Sequence, residues 1–291
     1  MAILNRLGRH EITARQHGFL GDSIGPLSTD TMTLAELLRD RHYATAAFTE
    51  GETSAGGDLT YHTGFERGFD LFDPSYAPPI EAFGEDDGEM PASGSQVTLQ
   101  KARAWIQNHS DVKFFLFLRL RELEEVRHRE QYGKAFLEDP ENPGPVDVYD
   151  NAIAYMDRQI GALIEYVRDR PIKDTTCIVI TSLYGYDVDP MGDPPVAVTL
   201  NEPSVHVPLI FYVPGLDRRR RGDLVGLEDV APTIARVART SFPHPIAGKD
   251  FLSGAIHRRP VSMGGEPLTL SIRTPKWRFA WRPGTVPSEA S

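Results

Sequence analysis

Cysteine is almost absent from this chain: of 291 residues, only Cys177 is a cysteine. One thiol excludes an intrachain disulfide and a multi-cysteine zinc cage, and a chain of this length can bury a core without either. Long apolar runs are also missing. None approaches the roughly 18 residues that suggest a membrane span. Residues Met1-Ala2-Ile3-Leu4-Asn5-Arg6 lack the apolar stretch and small-residue cleavage site of a secretory leader, so the expected location is cytoplasmic. Basic residues are in deficit, 31 against 41 acidic ones for a net charge of −10. That balance argues against nucleic-acid binding through bulk charge. Neither nucleic acid nor a membrane is expected as a partner. The run Arg218-Arg219-Arg220-Arg221 runs against the trend. It reads either as a solvated loop after Pro214-Gly215 or as an anion contact.

What is present is an alternation of helix-like and strand-like segments, the pattern of a parallel α/β fold. Leu34, Leu37 and Leu38 have helical spacing, with Thr33 as N-cap and Glu36 three residues on. A short apolar strand, Tyr43–Phe48, follows and ends at Gly51. The polar, glycine-rich Gly51–Gly57 then reads as a loop at a strand's carboxyl end, where open α/β sheets place their sites. Residues Asp73–Ser95 read as irregular, and a helix is predicted over Thr98–Asn108. Phe114-Phe115-Leu116-Phe117-Leu118 suits a central strand covered on both faces. The charged stretch Arg119–Lys134 reads as helical. The clearest helix spans Val148–Arg168, with Ile153, Met156, Ile160, Leu163, Ile164 and Val167 as its apolar stripe. Strands are predicted at Cys177–Thr181 and Val207–Val213, with Pro208 marking a strand start or an edge. Leu227–Arg239 reads as a helix, and Leu268–Trp281 as a hairpin turning at Thr274-Pro275-Lys276. Cys177, in an apolar strand, is expected to be an inert core thiol. The expected architecture is α/β, a mostly parallel central sheet flanked by helices over residues 1–260, with a short C-terminal β-hairpin and tail over 261–291.

Several of these segments, in order, resemble the sulfatase family within the alkaline-phosphatase-like superfamily. Thr33–Asp40 and Tyr43–Phe48 resemble the helix and strand after the family's nucleophile region. Gly64-Phe65-Glu66-Arg67-Gly68-Phe69-Asp70 matches the phrase G-F-D-R-G-F-D. Phe114–Leu118 resembles the strand ahead of a His-x-x-x-Pro-His loop. Tyr149–Gly161 is close to Y-D-x-x-I-A-Y-x-D-x-x-I-G, and Ser204–Ile210 and Asp229–Ile234 match two further phrases.

The resemblance implies hydrolysis of a sulfate or phosphate ester by a covalent nucleophile, assisted by a divalent cation. Hard oxygen ligands suit calcium or magnesium. The family takes them from aspartates after its first strand and from a turn reading S-D-H-G; its nucleophile lies in Cys/Ser-x-Pro-x-Arg. This chain departs from that pattern. After Cys177–Thr181 it keeps Ser182 and Gly185, but Leu183 stands at the metal aspartate and Tyr184 at its His or Asn neighbour. Val196-Ala197 stands where the family has His-Lys. The loop after Leu118, Arg119-Leu120-Arg121-Glu122-Leu123-Glu124, has neither His nor Pro, and no Cys/Ser-x-Pro-x-Arg occurs. Met1–Asp30 resembles the segment after the nucleophile helix, as though the family's first strand were missing. Asp187, Asp189, Glu202 and His206 read either as solvated acids and a surface histidine or as an improvised metal site. Tyr184 reads as an apolar filler of the vacated position or as a hydrogen-bond donor to an anion.

Three expectations follow. One is a catalytically inactive sulfatase-like protein with no catalytic or metal-binding residues and no cofactor, kept for a binding, regulatory or assembly role. Its partner would be a second copy or an active relative, joined through a sheet edge exposed by the missing strand. The second is an ester hydrolase whose nucleophile and ligands come from upstream sequence or a partner subunit. The third is a defective product with no selected role, expected to aggregate.

Overall fold

Thr33 and Glu36 start the first helix, α1 (Leu34–Arg39), by exchanging hydrogen bonds. Glu36 N donates to Thr33 Oγ1 at 3.0 Å, and Thr33 N donates to Glu36 Oε2 at 2.8 Å. The exchange satisfies backbone donors that a helix start leaves over. The computed structural model describes residues 27, 29–51, 59–75, 94–123, 132–139, 143–185, 202–254, 261–264 and 269–281. The chain divides into two compact units, one of residues 42–175 and 188–194, the other of residues 1–41, 176–187 and 195–291.

In the first of these units three parallel strands form a sheet: β1 (Ala44–Phe48), β2 (Leu71–Asp73) and β3 (Phe114–Leu118), in the order β2-β1-β3. Side chains alternate between its faces. Ala46 and Phe48 of β1, with Phe114, Leu116 and Leu118 of β3, pack against Ala102, Trp105 and Ile106 of α2 (Gly94–Asn108) and Tyr166 and Val167 of α3 (Pro145–Arg168). On the other face Phe115 stacks on Phe69 and Phe117 meets Phe65 edge-on, with ring centroids 5.9 and 5.1 Å apart. β3 is thus covered on both sides, as its unbroken apolar run predicts, although each of its five residues keeps partial exposure.

The phrase Gly64–Asp70 accounts for that second face. Gly64 and Gly68 adopt φ of 79° and 88°, which glycine tolerates best. Between them the chain turns so that Phe65 and Phe69 lie on the sheet. Asp70 closes the segment: its Oδ2 accepts from Thr45 N at 2.9 Å and from Thr45 Oγ1 at 3.0 Å.

Three expectations in this unit need correction. α2 begins at Gly94, ahead of the predicted Thr98. Residues 119–123 are not helical. Arg119 N donates to Phe48 O at 3.0 Å, which extends the pairing of β3 with β1 and competes with any helical bond; residues 124–131 lie outside the described part. In α3 the predicted stripe holds at Met156 and Val167, which are buried, and at Ile160 and Leu163, which pack against the core, but not at Ile153. Val148, Ala152, Tyr155, Met156, Tyr166 and Val167 are buried, whereas Ile153 is exposed. Ala152, Tyr155 and Met156 close around Tyr132, and Ile153 lies about 100° round the helix from Ala152.

In the other unit β4 (Ile178–Thr181) pairs antiparallel with β5 (Leu209–Tyr212). β5 starts just after Pro208, which has no amide hydrogen to donate. The expected helix at Leu227–Arg239 is a 3-10 turn, Leu227–Asp229, leading into α5 (Val230–Val237) after a one-turn α4 (Glu202–Val205). Asp229 is buried and accepts from Gly226 N at 3.0 Å and Lys249 N at 2.8 Å. The C-terminal hairpin forms between β7 (Thr269–Arg273) and β8 (Arg278–Trp281), and β6 (Val261–Gly264) adds a third antiparallel strand beside β7. The fold is therefore α/β, with a parallel sheet, flanking helices and a C-terminal antiparallel hairpin.

Candidate functional site

The turn after β4 is built by short local bonds. Ser182 Oγ donates to Tyr184 O at 2.5 Å, and Gly185 N donates to Ser204 O at 2.9 Å. The second bond presses the turn onto α4, so closely that a side chain at Gly185 would place its Cβ 2.1 Å from Pro203 O. Leu183 and Tyr184 are half-buried. Leucine has no donor atom for a cation, and calcium and magnesium need several hard oxygens. Among the described residues, no three His, Cys, Asp or Glu side chains converge on a point that could hold a metal ion. The residues of this turn do not fit a divalent cation.

Glu202 opens α4 and His206 follows its last residue, but they serve each other. His206 Nδ1 lies 3.4 Å from Glu202 Oε1, and Glu202 also pairs with Arg273 of β7. Val196, Ala197, Asp187 and Asp189 lie outside the described residues. The basic run is divided by the fold. Arg221 is half-buried; its guanidinium donates to Asp223 Oδ2 at 2.7 Å, to Phe251 O, and to Gly254 O at 2.9 Å. It joins two loops, whereas Arg218, Arg219 and Arg220 are exposed. Cys177 is half-buried, and burial pushes its thiol up to about 11. That keeps it protonated and unreactive near neutral pH.

In the unit with the parallel sheet, the carboxyl ends of β1, β2 and β3 gather a polar cluster that the sequence reading did not single out. Glu50, two residues past β1, is 1% exposed and has a left-handed backbone with φ of 49°. This conformation is uncommon outside glycine. It turns the chain inward, and the carboxylate lands between two other segments. Its Oε2 accepts from Arg121 N at 2.7 Å and from Ser95 Oγ at 3.2 Å, and the Thr98 hydroxyl also stabilises it. Burial nevertheless outweighs these bonds and raises the Glu50 carboxyl above its ordinary value, with buried Glu122 adding like-charge repulsion. Tyr132 donates its hydroxyl to Glu122 Oε1 at 2.7 Å. At the end of β2, burial of Asp73 is outweighed by Lys101 and Ser75, which hold its carboxyl below the ordinary value; Lys101 Nζ is 2.8 Å from Asp73 Oδ2. Glu50 is closed to solvent and bonded to two other segments, so its chemistry is positional. It fixes the loops at this edge of the sheet.

Comparison with known proteins places these features. The family model described as Sulfatase matches residues 2–240. A curated relative, human iduronate 2-sulfatase (Homo sapiens), is 33% identical over 99 residues, which are 31% of this chain and 18% of that protein. Among solved structures, a protein in the alkaline phosphatase superfamily from Vibrio parahaemolyticus superposes with a TM-score of 0.65 at 22% identity. The match covers 94% of this chain and 65% of that one. The phosphonate monoester hydrolase of Agrobacterium radiobacter gives a TM-score of 0.66 at 16% identity, covering 88% of this chain and 73% of that one. At these identities the likeness to the solved structures concerns the fold alone. The chain spans only part of the length of these relatives.

Proposed function

Because the chain belongs to the sulfatase family, we propose that it is a non-hydrolytic member that acts through binding, regulation or assembly. The observation that carries this reading is the turn after β4. Its Leu183 and Tyr184 supply no ligand where the family resemblance expects one, and its backbone is bonded back onto Ser204. Ester hydrolysis without an activated nucleophile and without charge neutralisation of the anionic ester loses both covalent catalysis and the cation's stabilisation of the transition state. We read Tyr184 as filling the space of a bound ion. Within this reading the setting is cytoplasmic. Within this reading the partner is a second copy or an active relative, seated along a sheet edge.

A second reading rests on the fact that the chain spans 65% of the Vibrio protein it superposes on. Further sequence or another subunit would then supply nucleophile and ligands. That reading accounts for the absent Cys/Ser-x-Pro-x-Arg but leaves Leu183 and Tyr184 without a reason.

Thermal unfolding in millimolar calcium or magnesium, with and without EDTA, tests the proposal. A ligand that binds only the folded state raises the midpoint. The expected result is no cation-dependent rise. A rise reversed by EDTA and removed by substituting native acidic residues would overturn it.

A further inference from the structure

The loop that leaves β5 carries positive charge that the fold does not use. It turns at Pro214-Gly215, where Gly215 has φ of 79°, and enters Arg218-Arg219-Arg220-Arg221. The last arginine is the fastening. Its guanidinium donates to Asp223 Oδ2, Phe251 O and Gly254 O, which ties the loop to residues 251–254. Arg218, Arg219 and Arg220 are exposed, and among the described residues none of the three side chains meets a carboxylate or another acceptor. Asp223 is taken by Arg221, so exposed Asp217 is the one acid left between Val213 and Gly226 to offset them.

This surface is distinct from the turn after β4. Ile178 lies opposite Tyr212 and Thr181 opposite Leu209. In such an antiparallel pair the turn after Thr181 and the loop after Tyr212 leave from opposite ends.

A guanidinium presents its N–H donors in a planar fork that pairs two at a time with a carboxylate. Three such forks, on a loop fastened by Arg221 and without internal partners, suit an anion whose charges also come in a row. The rest of the molecule narrows the class. With a net charge of −10 the chain repels an extended polyanion such as nucleic acid, whose charge runs far beyond the loop. A short acidic peptide instead interacts within one screening length, about 8–10 Å. Leu216, 45% exposed, is the apolar neighbour of the arginines. One leucine is too little to hold a bilayer, since even a whole myristoyl chain does so only marginally. It is enough to meet one apolar side chain of a peptide.

We propose that Arg218, Arg219 and Arg220, with Leu216 beside them, dock an acidic peptide segment of a partner protein. The contact is independent of ester chemistry, so its failure leaves the reading of the turn after β4 untouched.

The test is fluorescence anisotropy of a labelled peptide of aspartates and glutamates around one leucine, titrated with the full chain. Saturable binding is expected. Changing Arg218→Ser, Arg219→Ser and Arg220→Ser together should weaken it about tenfold or more, as should raised salt. The three positions are exposed and unpaired, so a thermal melt should find the variant as stable as the parent. Absence of binding would overturn the proposal, as would binding that the folded serine variant retains. Tighter binding of a single-stranded oligonucleotide or a sulfated polysaccharide would overturn it by assigning the loop to a phosphate or sulfate polyanion. A salt-sensitive dimer that the serine variant loses, without peptide binding, would overturn it by assigning the loop to a second copy of the chain.

Discussion

The amide of Arg121 donates to Glu50 Oε2 at 2.7 Å across a separation of 71 residues. The loop after β3 is thereby held by a carboxyl that the end of β1 carries into the interior. The Arg121 guanidinium returns the contact, donating from Nη1 to Glu50 O at 3.3 Å.

This arrangement makes stability depend on pH in a defined direction. The folded-state value of Glu50 is raised above its ordinary 4.5 by burial, so the folded chain holds a proton that the unfolded chain releases. Its contribution to stability is therefore largest below 4.5, falls as pH rises toward the folded-state value, and is constant above it. Glu50→Gln removes the ionisation and keeps an acceptor for Arg121 N. Melting temperatures measured from pH 4 upward should show the variant gaining on the parent as pH rises. A gap independent of pH would count against the account.

The Cys177 thiol, pushed up to about 11, should resist alkylation in the folded chain. At pH 8 iodoacetamide labelling should run roughly a hundredfold or more slower than in urea, because thiolate fraction sets the rate. Equal rates in the two conditions would show the thiol to be accessible and ordinary.

Asp70 should matter for stability alone. Its Oδ2 is an acceptor for Thr45 N, and Thr45 is fully buried. Asp70→Ala leaves that donor unpaired, so urea unfolding should register a loss of about 1–3 kcal/mol. Asp70→Asn, which retains an acceptor oxygen, should recover part of it.

How far the sequence could be read depended on the range of the interactions involved. The Thr33–Glu36 exchange at the start of α1 spans three residues, so its pattern is visible in a short window. The same holds for Pro208 ahead of β5 and for the Thr274–Trp277 turn, whose bonds are equally local. β6 was missed because Val261-Ser262-Met263-Gly264 is short and ends in glycine; its pairing with β7 defines it. The Arg119–Lys134 stretch looked helical by composition, but a strand-end bond to Phe48 O holds residues 119–123 otherwise. Glu50 was the least legible of all. In Thr49-Glu50-Gly51 it looks like any polar loop residue, and its burial depends on Ser95, Thr98 and Arg121, which are distant in sequence. Its neighbouring Gly51 was the one available hint, since a Cβ there would lie 2.1 Å from Leu59 O and so marks a close approach of two chains.

The turn after β4 is the reverse case. Leu183 and Tyr184 stand out in the sequence only through the family phrases surrounding them, and the fold adds the contact of Gly185 with Ser204 that ties the turn to α4.

The most direct test of the central claim is turnover of 4-nitrophenyl sulfate and 4-nitrophenyl phosphate by the purified full chain with calcium or magnesium, before and after EDTA. The account predicts no release of nitrophenol above the uncatalysed rate under any of these conditions. Turnover that scales with protein concentration, disappears with EDTA and returns with the cation would contradict it.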